Sequence, residues 1–393
     1  MSKYHQFIVK VRSLYPDIPV VKRNLAKARI AKIRRYMLSP EQVQACEADP
    51  ALRRKTVAYY TKKWEKRLKK ELKKAKDLCR NVPGDAKENY IDMLFCRLAY
   101  GFAAEEYITF QLKDKTPEER QKYVSDQQRF CNVYRMNDIS DLQMFNDKAK
   151  TYELLKEYYK RDAVCLGKKE DIPAALAFME KHPVFVKKNA MESVGRGVEL
   201  IDTAELSVSP EEYCLSLIEE GKHILEEKIE QEESLARFNP SSLNTVRCIA
   251  FKTRHGVETP YCFIRFGRNG SFVDNAGAGG VFAGIDNRTG IIDSDAYDRN
   301  YDLYTEHPDT GVSFKGFQLP EWEEMLQIVR EMSGKLDNIR YVGWDMAYSK
   351  KGWAVVEGNG MSQMIASQFI YKKGIKEEVE GYMADMDLIL PLP

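Results

Sequence analysis

Near residue 140 the hydrophobic rhythm of this chain changes, and the change divides what can be built on either side of it. Before that point apolar residues recur every three or four positions. Val57, Tyr60, Trp64, Leu68, Leu72, Ala75 and Leu78 fall on one stripe of a helix whose other positions are mostly lysine and arginine. After it come short runs rich in β-branched and aromatic residues, at 184–186, 223–225, 245–251 and 261–266, set between helical stretches. The first pattern specifies a helical region over 1–140. The second specifies a mixed α+β region over 141–393 rather than a regular βαβ array.

Capping chemistry locates several helix starts. Ser39-Pro40-Glu41-Gln42, Thr116-Pro117-Glu118-Glu119 and Ser209-Pro210-Glu211-Glu212 each place a hydroxyl before a proline and an acid or amide at the third helical position. The largely apolar stretch 90–112 is expected to be the central helix of the first region, and 320–332 a later helix that Gly334 stops.

Charge separates the two regions as well. Residues 1–80 hold 23 lysines and arginines against 7 acids, out of 61 and 59 in the whole chain, so the remainder is acidic. No apolar run approaches the roughly 20 residues of a membrane span, and charges interrupt the first 17 residues where a signal peptide would be apolar. A cytoplasmic protein is expected. The eight cysteines contain no Cys-x-x-Cys pair and should be free thiols. The five histidines offer no paired metal-ligand spacing, and no Ser-His-Asp or Cys-His arrangement stands out.

The stretch from Tyr341 to Asn359 carries the most chemistry. Two strands flank Lys350-Lys351-Gly352, and a three-residue turn with Gly352 in the left-handed region would set Asp345 opposite Glu357. Asn359, two residues beyond Glu357, shares its face. Two carboxylates and an amide oxygen form a hard oxygen set suited to Mg²⁺. The plain alternative is an exposed hairpin whose acids face water.

A second cluster lies earlier. The strand ending in Lys187-Lys188 runs toward a loop with Gly195 and Gly197, where flexible backbone can turn N–H groups onto phosphate and a lysine supplies a point charge. Lys187 shares a strand face with Phe185, which is expected to point into the lobe, and Lys188 takes the other face. Lys148 precedes a helix over 151–159, and an acidic pair, Glu226-Glu227, lies in the run that begins at His223. Each of these alone reads as ordinary surface. Their order along the chain is more specific.

That order, a lysine before a helix, a lysine at a strand end, a glycine loop, an acidic strand, then Asp with Glu-x-Asn, resembles the ATP-grasp superfamily. It is most similar to the sugar-transfer associated ATP-grasp branch, which Phe238-Asn239-Pro240-Ser241-Ser242-Leu243-Asn244-Thr245-Val246-Arg247 and Val273-Asp274-Asn275-Ala276-Gly277-Ala278-Gly279-Gly280 support. The resemblance spans roughly residues 141 to 360. It implies an α+β domain of two lobes, at 141–220 and 221–393, holding ATP between them, here preceded by a basic helical region.

Carried over residue by residue, the resemblance implies that Lys148 and Lys187 contact ATP phosphates under the Gly195–Gly197 loop. Glu227 with the backbone of Lys228 and Ile229 would meet the adenine, and Asp345, Glu357 and Asn359 would hold Mg²⁺. Glu230, Glu232 and Glu233 remain equal candidates for the ribose. Many relatives carry arginine two residues before the metal-binding aspartate, where this chain has Gly343. Arg247 or Arg265 would then face the reacting carboxylate, or else form a structural ion pair.

The implied activity is amide formation between a small-molecule carboxylate and an amine through an acyl phosphate, with ADP and phosphate released and a link to glycan assembly. The alternatives are an ATP-grasp kinase acting on a small molecule and a protein that binds nucleic acid or an anionic surface through its basic first 80 residues. Lysine-rich amphipathic helices more often form solvated or packing faces, so nucleic acid is the lesser expectation. The glycine-rich stretch 274–290 is expected to be a mobile cover over the substrate.

Overall fold

The structure is a computed structural model and describes residues 19–190, 197–271, 274 and 279–392. The chain divides into two compact units. One holds the described residues up to Ser140 together with Thr253–His255 and Met361 onward, and the other holds Asp141–Lys252 and Gly256–Gly360. This partition differs from a single cut at residue 140, because the chain after Met361 returns to the first unit.

The first unit is helical. Its main helices are Pro19–Arg34, Pro40–Ala48, Pro50–Lys63, Glu65–Leu78, Ala86–Tyr100 and Asp126–Met136, followed near the C-terminus by Ile365–Ile370 and Lys376–Ala384. The expected capping boxes at Ser39 and Thr116 are formed, each hydroxyl accepting from the backbone N–H three residues on. The stripe from Val57 to Leu78 is not one helix. It breaks at Trp64 (φ −111°, ψ 17°), which ends one helix and begins the next. The break lets Val57 and Leu68 enter the same core as Phe95, Leu98, Phe102 and Tyr107. The expected long helix over 90–112 also ends early. Gly101 takes φ 83° and its N–H returns to the Arg97 carbonyl, a left-handed stop that favours glycine. A Cβ there would approach Gln127 at 2.8 Å.

Polar bonds hold the returning C-terminal segment. The buried Gln368 side chain donates to the Val124 carbonyl and accepts from the Val124 N–H, at 3.0 and 2.7 Å. Arg129 donates to the Met361 carbonyl at 2.6 Å. Nothing in the residues 361–393 announces this return, since it depends on long-range partners.

The second unit contains two antiparallel sheets. In chain order its strands are β1 (Ala163–Leu166), β2 (Val184–Asn189), β3 (Val198–Asp202), β4 (His223–Glu227), β5 (Thr245–Thr253), β6 (Gly256–Phe266), β7 (Val281–Asp286), β8 (Ile291–Tyr297), β9 (Leu303–Tyr304), β10 (Tyr341–Ser349) and β11 (Gly352–Asn359). The smaller sheet runs β1-β4-β2-β3 and the larger β11-β10-β5-β6-β7-β8-β9. Helices Ile172–Lys181 and Pro210–Glu220 supply Phe178 and Leu217 to a core on one face of the smaller sheet, where Phe185, Leu166 and Leu225 meet them. Helices Lys148–Tyr159 and Trp322–Gly334 belong to the same unit as the larger sheet, in which Trp344, Trp353, Phe251 and Phe266 are fully buried. Strand β7 lies inside the stretch 274–290 that was expected to be one mobile loop; Val281, Phe282 and Ala283 are buried, so burial and ladder bonds fix this part. Residues 275–278 lie outside the described residues. Among the described residues no helix is long and apolar enough to cross a membrane.

Candidate active site

Strands β10 and β11 form the hairpin on which the acidic cluster rests. Asp345 and Glu357 are direct partners, as are Gly343 and Asn359. The route to that register differs from expectation. The ladder closes at Ser349 and Gly352, with Gly352 at φ 86°, and a bulge between Asp345 and Met346 then shifts the pairing by leaving Val356 without an opposite residue. The neighbouring pair, Trp344 and Gly358, takes the other face, where a Cβ on Gly358 would meet Trp344 at 2.6 Å and Phe145 at 2.7 Å. Close ring packing on one face thus leaves the carboxylates on the other.

Two arginines converge on the acids. Arg247, in register with Asp345 on β5, donates from Nε at 2.5 Å to Oδ1 and from Nη2 at 2.9 Å to Oδ2. Arg265 on β6 places Nη2 at 3.1 Å from Oδ1 of Asp345 and also donates to the Thr245 hydroxyl. The buried Asp274 accepts from the Thr245 N–H at 2.9 Å and from its hydroxyl, and lies 3.6 Å from Arg265. Burial alone would push the Asp345 carboxyl up, but the two guanidiniums overcome it and hold the group below its ordinary range. Glu357 goes the other way. Its burial and the Asp345 charge raise it, opposed by Lys148, Lys188 and Arg247.

The smaller sheet sorts its two lysines onto opposite faces. Lys187 lies with Phe185 on the helix-covered side, and its ammonium pairs with Glu199 at 2.9 Å. Lys188 points to the other face and reaches Glu226 at 2.8 Å. Glu226 is buried and also accepts from Arg161 Nε and Nη2, at 2.8 and 2.7 Å. Burial would raise Glu226, yet Arg161 and Lys188 bring it down to about 2. Arg161 Nη1 donates to the Val355 carbonyl of β11 at 2.6 Å, so this ion cluster is tied to the β10–β11 hairpin. Of the two lysines on β2, Lys188 is the one whose charge opposes the rise of Glu357, alongside Lys148.

Lys148 opens the helix Lys148–Tyr159, three residues earlier than expected, because its N–H bonds to the Ala190 carbonyl at the end of β2. Its ammonium lies 3.3 Å from the Asn189 carbonyl. Gly197 takes φ 67° and its carbonyl accepts from the Asn189 N–H, while Gly195 lies outside the described residues.

The chain beyond β4 crosses toward the hairpin turn. Glu227 binds Lys351 at 2.7 Å and the Asp162 N–H at 3.0 Å, which occupies both oxygens of its carboxylate. Glu230 pairs with Lys350, and Gln231 bridges to Ser349. Lys228 and Ile229 lie between these anchored points, with Lys228 exposed and Ile229 partly buried. Of the three candidate ribose acids, Glu232 is committed to capping the Ser234 N–H at 2.9 Å.

Sequence similarity then decides the family. Residues 127–382 match the family described as sugar-transfer associated ATP-grasp. The chain belongs to that family. No curated protein matches it by sequence. Among solved structures it resembles a D-alanine–D-alanine ligase from Bacillus anthracis, with 14% identity over 63% of this chain and 69% of that one and a TM-score of 0.38. It also resembles a D-alanyl-alanine synthetase A from Vibrio cholerae, with 13% identity, 59% and 60% coverage and a TM-score of 0.37. An N5-carboxyaminoimidazole synthase from Aspergillus clavatus, in complex with ADP and 5-aminoimidazole ribonucleotide, aligns with 10% identity, 66% and 55% coverage and a TM-score of 0.37. Likenesses this loose carry no argument about chemistry, and the family assignment rests on the sequence match.

In this ATP-grasp chain the oxygen donors suit a hard divalent cation. Asp345 and Glu357 face one another at a partly buried point where their charges repel, and Asn359 extends the same face into solvent. Arg247 and Arg265 already bond the oxygens of Asp345, so a cation would share that carboxylate with them. Sequence reasoning missed Arg161, Lys188 and Glu226 as a unit, and also the network of the buried Asn239 and Asn244 with the partly buried Gln231. Asn244 donates to Gln231, to the Leu235 carbonyl and to the Asn239 carbonyl, fixing the start of β5 just ahead of Arg247. The Phe-Asn-Pro-Ser-Ser-Leu-Asn run was the available signal, since a polar run with proline beside a strand suggests a network as readily as a loop.

Proposed function

We propose that this protein is an ATP-dependent ligase that joins a carboxylate to an amine, releasing ADP and phosphate. The observation that carries this reading is the convergence on one hairpin face of Asp345, Glu357 and Asn359 with Arg247 and Arg265, backed by Lys148 and Lys188. Phosphoryl transfer requires positioning and charge neutralisation more than a protein nucleophile, and this array supplies both signs of charge in fixed geometry.

Asp345, Glu357 and Asn359 would hold Mg²⁺, which neutralises phosphate oxygens of ATP when bound. Lys148 and Lys188 would meet phosphate, and Lys188 replaces Lys187 in this role because its face carries the charge coupling to Glu357. The backbone of Lys228 and Ile229 would meet the adenine, with Glu227 acting through its bond to Lys351 to hold that segment. Arg265 uses Nε and Nη2 for Thr245 and Asp345, so Nη1 is the nitrogen to face a substrate carboxylate; Arg247 positions Asp345.

The substrate carboxylate oxygen attacks the γ-phosphorus of ATP, the bond to the β-phosphate oxygen breaks, and ADP leaves. The amine then attacks the acyl carbon, loses a proton and expels inorganic phosphate. The family's description as sugar-transfer associated supports a setting in glycan assembly. The enzyme should be given candidate carboxylates with ATP and hydroxylamine and no amine. A hydroxamate formed with ADP supports the reading. A stable phosphorylated product would favour a small-molecule kinase, and AMP with pyrophosphate would overturn phosphate activation altogether.

A further inference from the structure

The first unit contains a cavity of about 470 Å³ at the break between helices Pro50–Lys63 and Glu65–Leu78. Arg35, Lys62, Lys63, Lys66 and Arg67 line it, with Glu65 as the one acid. Tyr36 and Trp64 form its aromatic wall, their ring centroids 5.5 Å apart and nearly perpendicular, and Tyr60 packs on Trp64 at 4.5 Å. None of the five cations makes an ion pair with a carboxylate among the described residues. Lys63 and Arg35 instead lie over tyrosine rings, at 5.3 Å from Tyr59 and 5.9 Å from Tyr36.

Some of the cations around it are neutralised. Arg53, Arg54, Lys74 and Arg97, on the same helices and their neighbour, each pair with an acid. Lys55, Lys69, Lys70, Lys73 and Lys76 on these two helices also make no ion pair among the described residues, so what sets the five apart is the concavity they share. Five like charges around a concavity repel one another, and a multiply charged anion relieves that repulsion. A run of exposed lysine alone would suit any polyanion, but a concave site of this volume with an indole in its wall suits a compact ligand that has a ring beside its phosphates.

We propose that this cavity binds a small molecule carrying a diphosphate next to a ring, the chemistry shared by nucleoside diphosphates and sugar diphosphates. The cavity shares no residue with the candidate active site and does not depend on the ligase reading. The phosphates meet Lys62, Lys66 and Arg67, and the ring packs against Trp64.

The chain has four tryptophans, and Trp322, Trp344 and Trp353 are buried, so Trp64 serves as a local fluorescence reporter. The full chain should be titrated with pyrophosphate, uridine diphosphate, uridine monophosphate and uridine. Saturable change in Trp64 fluorescence with the diphosphates, weaker response to the monophosphate and none to uridine is expected. Lys66→Ala and Arg67→Ala should each weaken the diphosphate response on the order of tenfold, the loss of one charged hydrogen bond. Trp64→Phe should remove the signal while circular dichroism stays unchanged. Absence of any phosphate-dependent change at millimolar ligand, or an undiminished one in the Lys66→Ala, Arg67→Ala double variant, would overturn the proposal. So would salt-resistant binding of an RNA duplex or of phosphatidylglycerol vesicles at concentrations where diphosphate does not bind, since the surface would then serve a macromolecule or a membrane.

Discussion

Asp345 and Glu357 face each other across β10 and β11 because Val356 bulges out of the ladder between them and the turn. Continued from the turn without the bulge, the same register would have set Val356 opposite Asp345. One extra residue therefore decides whether two carboxylates meet.

Replacing either acid by its amide should keep the hairpin and remove the charge. On the ligase reading, Asp345→Asn and Glu357→Gln should each lower ATP turnover on the order of 10³-fold, the scale of losing an ion clamp at the transition state. Calorimetric melting checks that the fold persists. Full turnover in folded variants would remove the metal assignment.

Lys188→Ala should weaken nucleotide binding more than Lys187→Ala, the reverse of the order expected from the sequence. The difference is on the order of tenfold if one phosphate contact is lost. Titration of a nucleotide analogue into both variants checks it, and equal affinities would leave the two faces of β2 without functional distinction.

Arg265→Lys should lower kcat while leaving nucleotide affinity close to that of the unmodified protein. Lysine retains one charge but cannot span Thr245, Asp345 and a substrate anion together. Steady-state kinetics with a true carboxylate would show whether the loss falls on kcat or on ATP binding.

Glu226 should confer acid sensitivity on the second unit. Its carboxyl sits at about 2 in the folded protein against an ordinary value near 4.5, so its contribution is complete above about 4.5 and is lost as pH falls through about 2. That shift corresponds to roughly 3 kcal/mol. Glu226→Gln should be destabilised at pH 7, where Arg161 and Lys188 lose their counter-charge, and the deficit should shrink toward pH 3. Urea unfolding at both pH values measures it. A deficit that does not change with pH would mean that packing, not charge, holds this cluster.

Local chemistry made much of this protein legible from its residues. Ser39, Thr116 and Ser209 announce helix starts because a cap needs only neighbours along the chain. The opposite faces of Lys187 and Lys188 follow from the period of a strand, whereas the meeting of Asp345 with Glu357 needed the bulge at Val356. The order of lysines, glycines and acids was sufficient to recognise the family that the sequence match establishes. The tertiary structure decided which partners each strand face meets, because alternation assigns residues to faces and not to partners. It placed Phe185 and Lys187 beneath helices and left Lys188 with Glu226. It broke the stripe at Trp64, where no glycine or proline marks a stop, because both halves gain burial in one core. It also brought Arg161, Arg247 and Arg265 to their acids. Those pairings join residues 65 to 98 positions apart, and no local pattern encodes a partner at that distance.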